Sequence, residues 1–199
     1  MLKLVVVVGI PGVGKSTVLS IARNKLVEKG YNVKLVNFGD YMFNYLKEVG
    51  TVRTRDEIRR LPLTIQLKTQ GMVARKIREE LESERGEQVI GIVDTHAVIK
   101  TPTGFWTGLP MNVLQELRPN LIAVIEAKPE EIVARQQRDA SRYRADLSSI
   151  EFVKELLQLN RYFSIASSVI SGAAVTFISN PEGLFEKAAE ELVAAIEAI

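Results

Sequence analysis

Short, almost purely apolar runs alternate along the chain with longer stretches in which apolar positions return every three or four residues. Five runs have strand character, at residues 4–8, 33–37, 89–93, 121–126 and 175–179. They are continuously apolar rather than strictly alternating, which points to strands buried on both faces of a parallel sheet. Helical periodicity separates all five, so the pattern predicts βαβ units and an α/β fold. The first helix should bury Leu19, Ala22 and Leu26 and stop at Gly30, since glycine takes the left-handed conformation of a helix end without strain. A long helix over 148–171 should bury the stripe Phe152, Leu156, Leu159, Phe163, Ala166 and Ile170. The last helix should begin at Asn180-Pro181, read as an N-cap followed by proline in the first helical position.

Between the first strand and the first helix, Gly9-Ile10-Pro11-Gly12-Val13-Gly14-Lys15-Ser16 fits the pattern G-x-x-x-x-G-K-[ST]. Strand, glycine-rich loop and helix together are the context a phosphate-binding loop (P-loop) requires. The glycines let the backbone curl so that successive N–H groups face a phosphate chain, and the helix N-terminus adds partial positive charge. Lys15 should reach the β- and γ-phosphates while the Ser16 hydroxyl faces a magnesium ion. The chain is therefore expected to bind a nucleoside triphosphate.

Ligands of such sheets sit beyond the carboxyl ends of the strands, so the residues after each strand are the candidates for chemistry. Asp94 follows the third run and is the acid expected to hold magnesium directly or through water; Glu126, at the end of the fourth run, is its rival. Asp40 either orients Lys15 or a magnesium-bound water, or caps the next helix. His96 is the lone imidazole, with a structural or binding role as open to it as a catalytic one. Arg135, Arg138 and Arg142 fall on one side of a helix, Arg144 follows closely, and Arg161 lies away from the core stripe of the long helix. Beside a P-loop, these cations can spread over a phosphoryl group in transfer. A phosphate acceptor, with a second pKa of about 6, is mostly dianionic at neutral pH. It needs positioning and charge neutralisation rather than a base, which suits an arginine-rich site.

Composition narrows the reading further. At 199 residues the chain has room for one sizeable α/β domain, and no repeat or linker-like segment divides it. A formal net charge of only +2 argues against a bulk polyanion binder, so nucleic acid is not an expected partner. There is no cysteine, which excludes disulfides and thiolate zinc sites and fits a reducing cytoplasm. No run approaches the roughly 18 apolar residues of a membrane span. The first run flows straight into the P-loop without a cleavage site, so it is read as a core strand rather than a signal peptide.

Several segments resemble the archaeal-type adenylate kinases: Gly9 to Thr17, Asn37-Phe38-Gly39-Asp40, Arg55-Asp56-Glu57-Ile58-Arg59, Asp94 to Pro102, Gly108-Leu109-Pro110, and Arg135 to Arg144. The resemblance runs from the first strand to the last. It implies a single P-loop NTPase domain over 1–199, with a five-stranded parallel sheet flanked by helices, an AMP-binding flap at 38–87 and a short mobile lid at 138–147. It implies the reversible reaction of ATP with AMP to give two ADP, a magnesium requirement and a homotrimer. Carried over by position, Gly14, Lys15, Ser16 and Thr17 hold the ATP phosphates, and the turn at Asn180 and Pro181 approaches the ATP adenine. Phe38, Gly39, Asp40, Arg55 and Arg59 lie on the AMP side, with Thr95, His96 and Lys100 where the AMP phosphate should rest. Arg138, Arg142, Arg144 and Arg161 close over the phosphates.

Two departures from the common bacterial pattern matter. Tyr41-Met42-Phe43 follows Gly39-Asp40 where bacterial enzymes place Met-Leu-Arg, so Arg55 or Arg59 must replace that arginine. The bacterial Asp-Gly-Phe-Pro-Arg becomes a longer loop ending in Lys100, a point charge in place of a bidentate fork. The short cysteine-free lid has no place for zinc. Other readings are a sister P-loop kinase for a different nucleoside monophosphate or a small hydroxyl substrate, a GTP-dependent switch, and a nucleotide-sensing RNA or ribosome partner. The switch lacks support: Asn24-Lys25-Leu26-Val27 has no aspartate at the guanine-reading position, and Asp94 is not followed by Asp-x-x-Gly.

Overall fold

A computed structural model describes residues 2–86, 88–101, 103–138 and 149–199. Five parallel strands form the sheet in the order β2-β3-β1-β6-β7: β1 (Leu2–Val8), β2 (Asn32–Asn37), β3 (Val89–Asp94), β6 (Leu121–Glu126) and β7 (Ala174–Ser179). These are the five runs read from the sequence, extended by one or two residues at some ends. The chain crosses from one side of β1 to the other between β3 and β6, which opens a crevice at the carboxyl ends of the central strands.

Because the side chains of a strand alternate, β1 feeds two cores at once. Val5 and Val7 pack with α1 (Lys15–Glu28), α5 (Pro129–Arg138), α6 (Ile150–Ser171) and α7 (Phe185–Glu197). Leu4, Val6 and Val8 pack with α2 (Phe38–Glu48), α3 (Leu63–Ser83) and α4 (Met111–Leu117). The helices thus cover both faces, as a parallel sheet requires. Helix α1 buries Leu19, Ala22 and Leu26 and ends as expected. Gly30 has φ 90°, its N–H donates to Val27 O at 2.9 Å, and the Tyr31 N–H returns to Leu26 O at 3.1 Å, a Schellman closure.

Three features differ from the sequence reading. An antiparallel hairpin, β4 (Val98–Thr101) with β5 (Gly104–Thr107), rises after β3, and its four-residue strands are too short for periodicity to reveal. Helix α6 turns a different face inward. It buries Val153, Leu156, Asn160, Ser164 and Ser167, while Ala166 and Ile170 of the expected stripe are exposed. The serines can face inward because their hydroxyls donate to carbonyls one turn back, Ser164 to Asn160 O at 2.7 Å and Ser167 to Phe163 O at 2.8 Å. Finally, α7 starts at Phe185, with Leu184 as its N-cap residue, rather than at Pro181. The segment from Pro181 to Gly183 forms a turn, closed by the Leu184 N–H donating to Pro181 O at 3.1 Å, and Asn180 is left to another task.

Candidate active site

All five strands of the sheet end on one side, and each delivers a residue there: Gly9 follows β1, while Asn37, Asp94, Glu126 and Ser179-Asn180 stand at the ends of β2, β3, β6 and β7. The P-loop joins β1 to α1. Gly14 is the N-cap of α1, at φ 81°, and no side chain caps this helix. The first N–H groups of a helix have no intrahelical acceptor, so the start of α1 offers donors and dipole to an anion. A Cβ on Gly14 would come within 2.9 Å of the Phe185 ring and would also strike the Asn180 amide. Asn180 is fully buried and its Nδ2 donates to Val13 O at 2.7 Å, so it props the loop from beneath.

Lys15 Nζ donates to Asp94 Oδ1 and to Thr95 O, the latter at 3.0 Å. The structure brings Asp94, and not Glu126, against the P-loop lysine. Ser16 and Thr17, on the first turn of α1, are exposed. His96 places Nδ1 2.8 Å from Gly9 O. A carbonyl only accepts, so Nδ1 carries the proton in that contact and the ring braces the first glycine of the loop.

On the other side of the crevice, Asn37 caps α2 by accepting from the Asp40 N–H at 3.1 Å. Asp40 itself neither caps the helix nor touches Lys15; its carboxylate pairs with Arg55 at 3.0 Å. Arg55 also donates to Asn37 Oδ1 at 3.1 Å and crowds Gly39, where any Cβ would collide with its guanidinium. Arg55 is thus held at the start of α2 by Asp40 and Asn37. Phe38 is buried in the core beneath, and Arg59 is half-buried on the 3-10 turn Asp56–Arg60. Lys100 sits on β4 with its ammonium 4.2 Å from the Phe152 ring centroid, a cation–π contact.

Among the described residues, Arg161, Arg135 and Arg138 are also held by carboxylates. Arg161 binds Glu126 in a fork, Nε lying 2.7 Å from Oε1 and 3.0 Å from Oε2, and it covers the Phe177 ring. Glu126 raises the already high pKa of this guanidinium further. Arg135 and Arg138 share Glu182, at 2.7 and 3.1 Å, and bonds from Arg135 and then Arg138 hold its carboxyl below the usual range. Arg135 reaches further, to Asn180 O at 3.1 Å and Gly12 O at 3.5 Å. Arg142 and Arg144 lie outside the described residues, as does nearly all of the 138–147 lid segment. Sequence reasoning named Arg135 within the arginine cluster and Asn37 within the motif 37–40, without giving Asn37 a role of its own. No sequence signal pointed to Glu182.

Among the described residues, no group of three or more His, Cys, Asp or Glu could hold a metal unaided. A hydroxyl at Ser16 and a carboxylate at Asp94 are hard oxygen donors flanking the phosphate position. They fit magnesium, which takes one or two carboxylates plus phosphate oxygens rather than an all-protein cage.

A family model described as an AAA domain matches residues 8–154. The chain is 47% identical over 192 residues to an adenylate kinase of Saccharolobus solfataricus, covering 96% of this chain and 98% of the relative. It is 44% identical to one of Sulfurisphaera tokodaii over 192 residues, at 96% and 98% coverage. With one of Methanocaldococcus jannaschii the identity is 40% over 195 residues, covering 98% of each chain.

Proposed function

The chain belongs to the archaeal-type adenylate kinases, and from that premise we propose how its residues share the work. The reaction is transfer of the γ-phosphoryl group of ATP to AMP, giving two ADP. An oxygen of the AMP phosphate forms a bond to the γ-phosphorus as the bond to the ADP leaving oxygen breaks. The nucleophile is already ionised, so the protein's task is to align two polyanions and offset their charge.

The residues of 9–17 and the start of α1 cradle the ATP phosphates, with Lys15 on the β- and γ-phosphates and Asn180 and Pro181 beside the adenine. Ser16 and Asp94 hold magnesium, which when bound neutralises phosphate charge. Phe38, Gly39, Asp40, Arg55, Arg59, Thr95, His96 and Lys100 form the AMP side, within a flap at 38–87. Arg138, Arg142, Arg144 and Arg161 act on the transferring group, the lid being 138–147. Glu126 and Glu182 hold Arg161 and Arg138, and phosphate oxygens replace those carboxylates on nucleotide binding. The observation that carries this reading is the assembly of a P-loop, a lysine and several carboxylate-held arginines around one crevice, with the imidazole engaged in bracing the loop.

The enzyme is further proposed to need no zinc, to act in the cytoplasm where its nucleotides are found, and to assemble as a homotrimer. Self-association is supported by apolar side chains left outside on α6 and the edge strand β7: Tyr162, Ile165, Val169, Ile170 and Phe177. ADP formation from Mg–ATP should be compared with AMP, CMP, UMP, GMP and no acceptor, on material sized by sedimentation velocity. Fast turnover with AMP, negligible hydrolysis without acceptor and a mass near three chains are expected. Turnover with another acceptor alone would contradict the AMP-site assignments. Hydrolysis as fast as transfer would contradict the closing lid, and a monomer would contradict the trimer.

A further inference from the structure

Asn37 ends β2 directly beside Asp94, its register partner at the end of β3. Both ends of its carboxamide are engaged. Nδ2 donates to Asp94 Oδ2 at 2.8 Å, while Oδ1 accepts from the Asp40 N–H and from Arg55 Nη2, each at 3.1 Å. The partners fix which way the amide points, because a carboxylate only accepts while a backbone N–H and a guanidinium only donate. Lys15 occupies the other oxygen of Asp94, and Arg55 also pairs with Asp40 at 3.0 Å. Lys15, Asp94, Asn37, Arg55 and Asp40 therefore form an unbroken series across the crevice. On the adenylate kinase reading above, its first two members serve ATP and Arg55 serves AMP. Asn37 is the one neutral residue in the series, and its side chain is the member that touches both halves.

We propose that Asn37 is a positioning residue that couples the two nucleotide sites, so that a bound donor nucleotide prepares the acceptor side. When the donor nucleotide draws Lys15 away and fixes Asp94 among its own contacts, the Asn37 amide bonded to the other Asp94 oxygen is fixed with it. The Arg55 guanidinium on Oδ1 is then ordered in advance, so that less ordering remains when AMP arrives. By linkage, AMP must tighten ATP binding by the same factor.

Few side chains could serve here. Serine would keep the helix cap but is a bond shorter and cannot span to Asp94. Aspartate would keep both the cap and Arg55, yet set a carboxylate against Asp94 in place of a donor. Both variants remove the link while preserving the start of α2.

Calorimetric titration of the full-length protein with AMP tests this, run without and with a saturating magnesium complex of a non-hydrolysable ATP analogue. The ratio of the two AMP dissociation constants is the coupling factor, expected to be about 5 or more in the wild type. In Asn37→Ser and Asn37→Asp it should fall towards 1, and Asn37→Ser should melt close to the wild type and bind the analogue alone about as tightly. A coupling factor kept at the wild-type value in both variants would overturn the proposal, as would a factor of 1 in the wild type. Neither result would touch the kinase reading, which stands or falls on whether the wild type binds AMP and transfers phosphate to it.

Discussion

Single residues hold the phosphate-binding loop in shape: Asp94 takes its lysine, and Asn180 supports the Val13 carbonyl. An acid at the tip of a buried strand beside a P-loop has few other uses, and the structure sets it against Lys15. Arg55 lies in the segment 55–59, where the sequence predicts that it or Arg59 makes up for the arginine absent after Asp40. Asn180 was misread: an asparagine followed by proline is a common helix start, and nothing local shows that a three-residue turn intervenes. Its amide instead supports Val13 from a fully buried position. Truncation would leave the Val13 carbonyl without that donor, a loss of about 1–3 kcal/mol. At roughly 2–4 °C per kcal/mol for a domain of this size, Asn180→Ala should melt several degrees below the wild type and bind ATP more weakly. Unchanged thermal melts and ATP affinity would remove Asn180 from the account of the loop.

At the scale of elements, the strands were the most legible because burial on both faces makes their apolar runs continuous. Helix α6 was the least legible, since its interior face uses serines and an asparagine that no hydrophobic pattern marks. The flap offers a testable join. Tyr41 on α2 donates to Glu80 Oε2 on α3 at 2.6 Å, and Lys34 of β2 pairs with the same carboxylate at 3.2 Å. Burial, and then the bond to Glu80, push the Tyr41 hydroxyl up to about 12, while the bond from Tyr41 holds Glu80 below its ordinary value of 4.5. The depressed Glu80 contributes stability above pH 4.5 that is lost as pH falls below its folded value. The raised Tyr41 contributes below pH 10.0, and its share is lost as pH climbs towards 12. Tyr41→Phe should therefore cost about 1 kcal/mol at pH 7, and urea midpoints should show the gap to wild type shrinking as the pH is lowered well below 4.5. A gap independent of pH would mean that the bond from the hydroxyl to the ionised Glu80 carboxylate is not what joins the two helices.

Over the whole molecule, the sheet order brings five strand ends to one edge, so residues as distant in sequence as Val13 and Asn180 become neighbours. The sequence motifs showed which residues should gather there. The carboxylates that hold the arginines were not legible, because ion pairs between Arg161 and Glu126, or Arg138 and Glu182, span 35 and 44 residues with no spacing rule. On the proposed function, a ring of cations, and no side-chain base, carries phosphoryl transfer to AMP. The measurement that reaches it most directly is kcat at saturating Mg–ATP and AMP for Arg161→Ala beside His96→Asn. The cation account predicts a fall of about 10³ for Arg161→Ala and a loss of no more than about tenfold for His96→Asn, which removes a loop brace rather than a general base worth about 10²–10⁴. A collapse in the histidine variant with Arg161→Ala near wild type would contradict it.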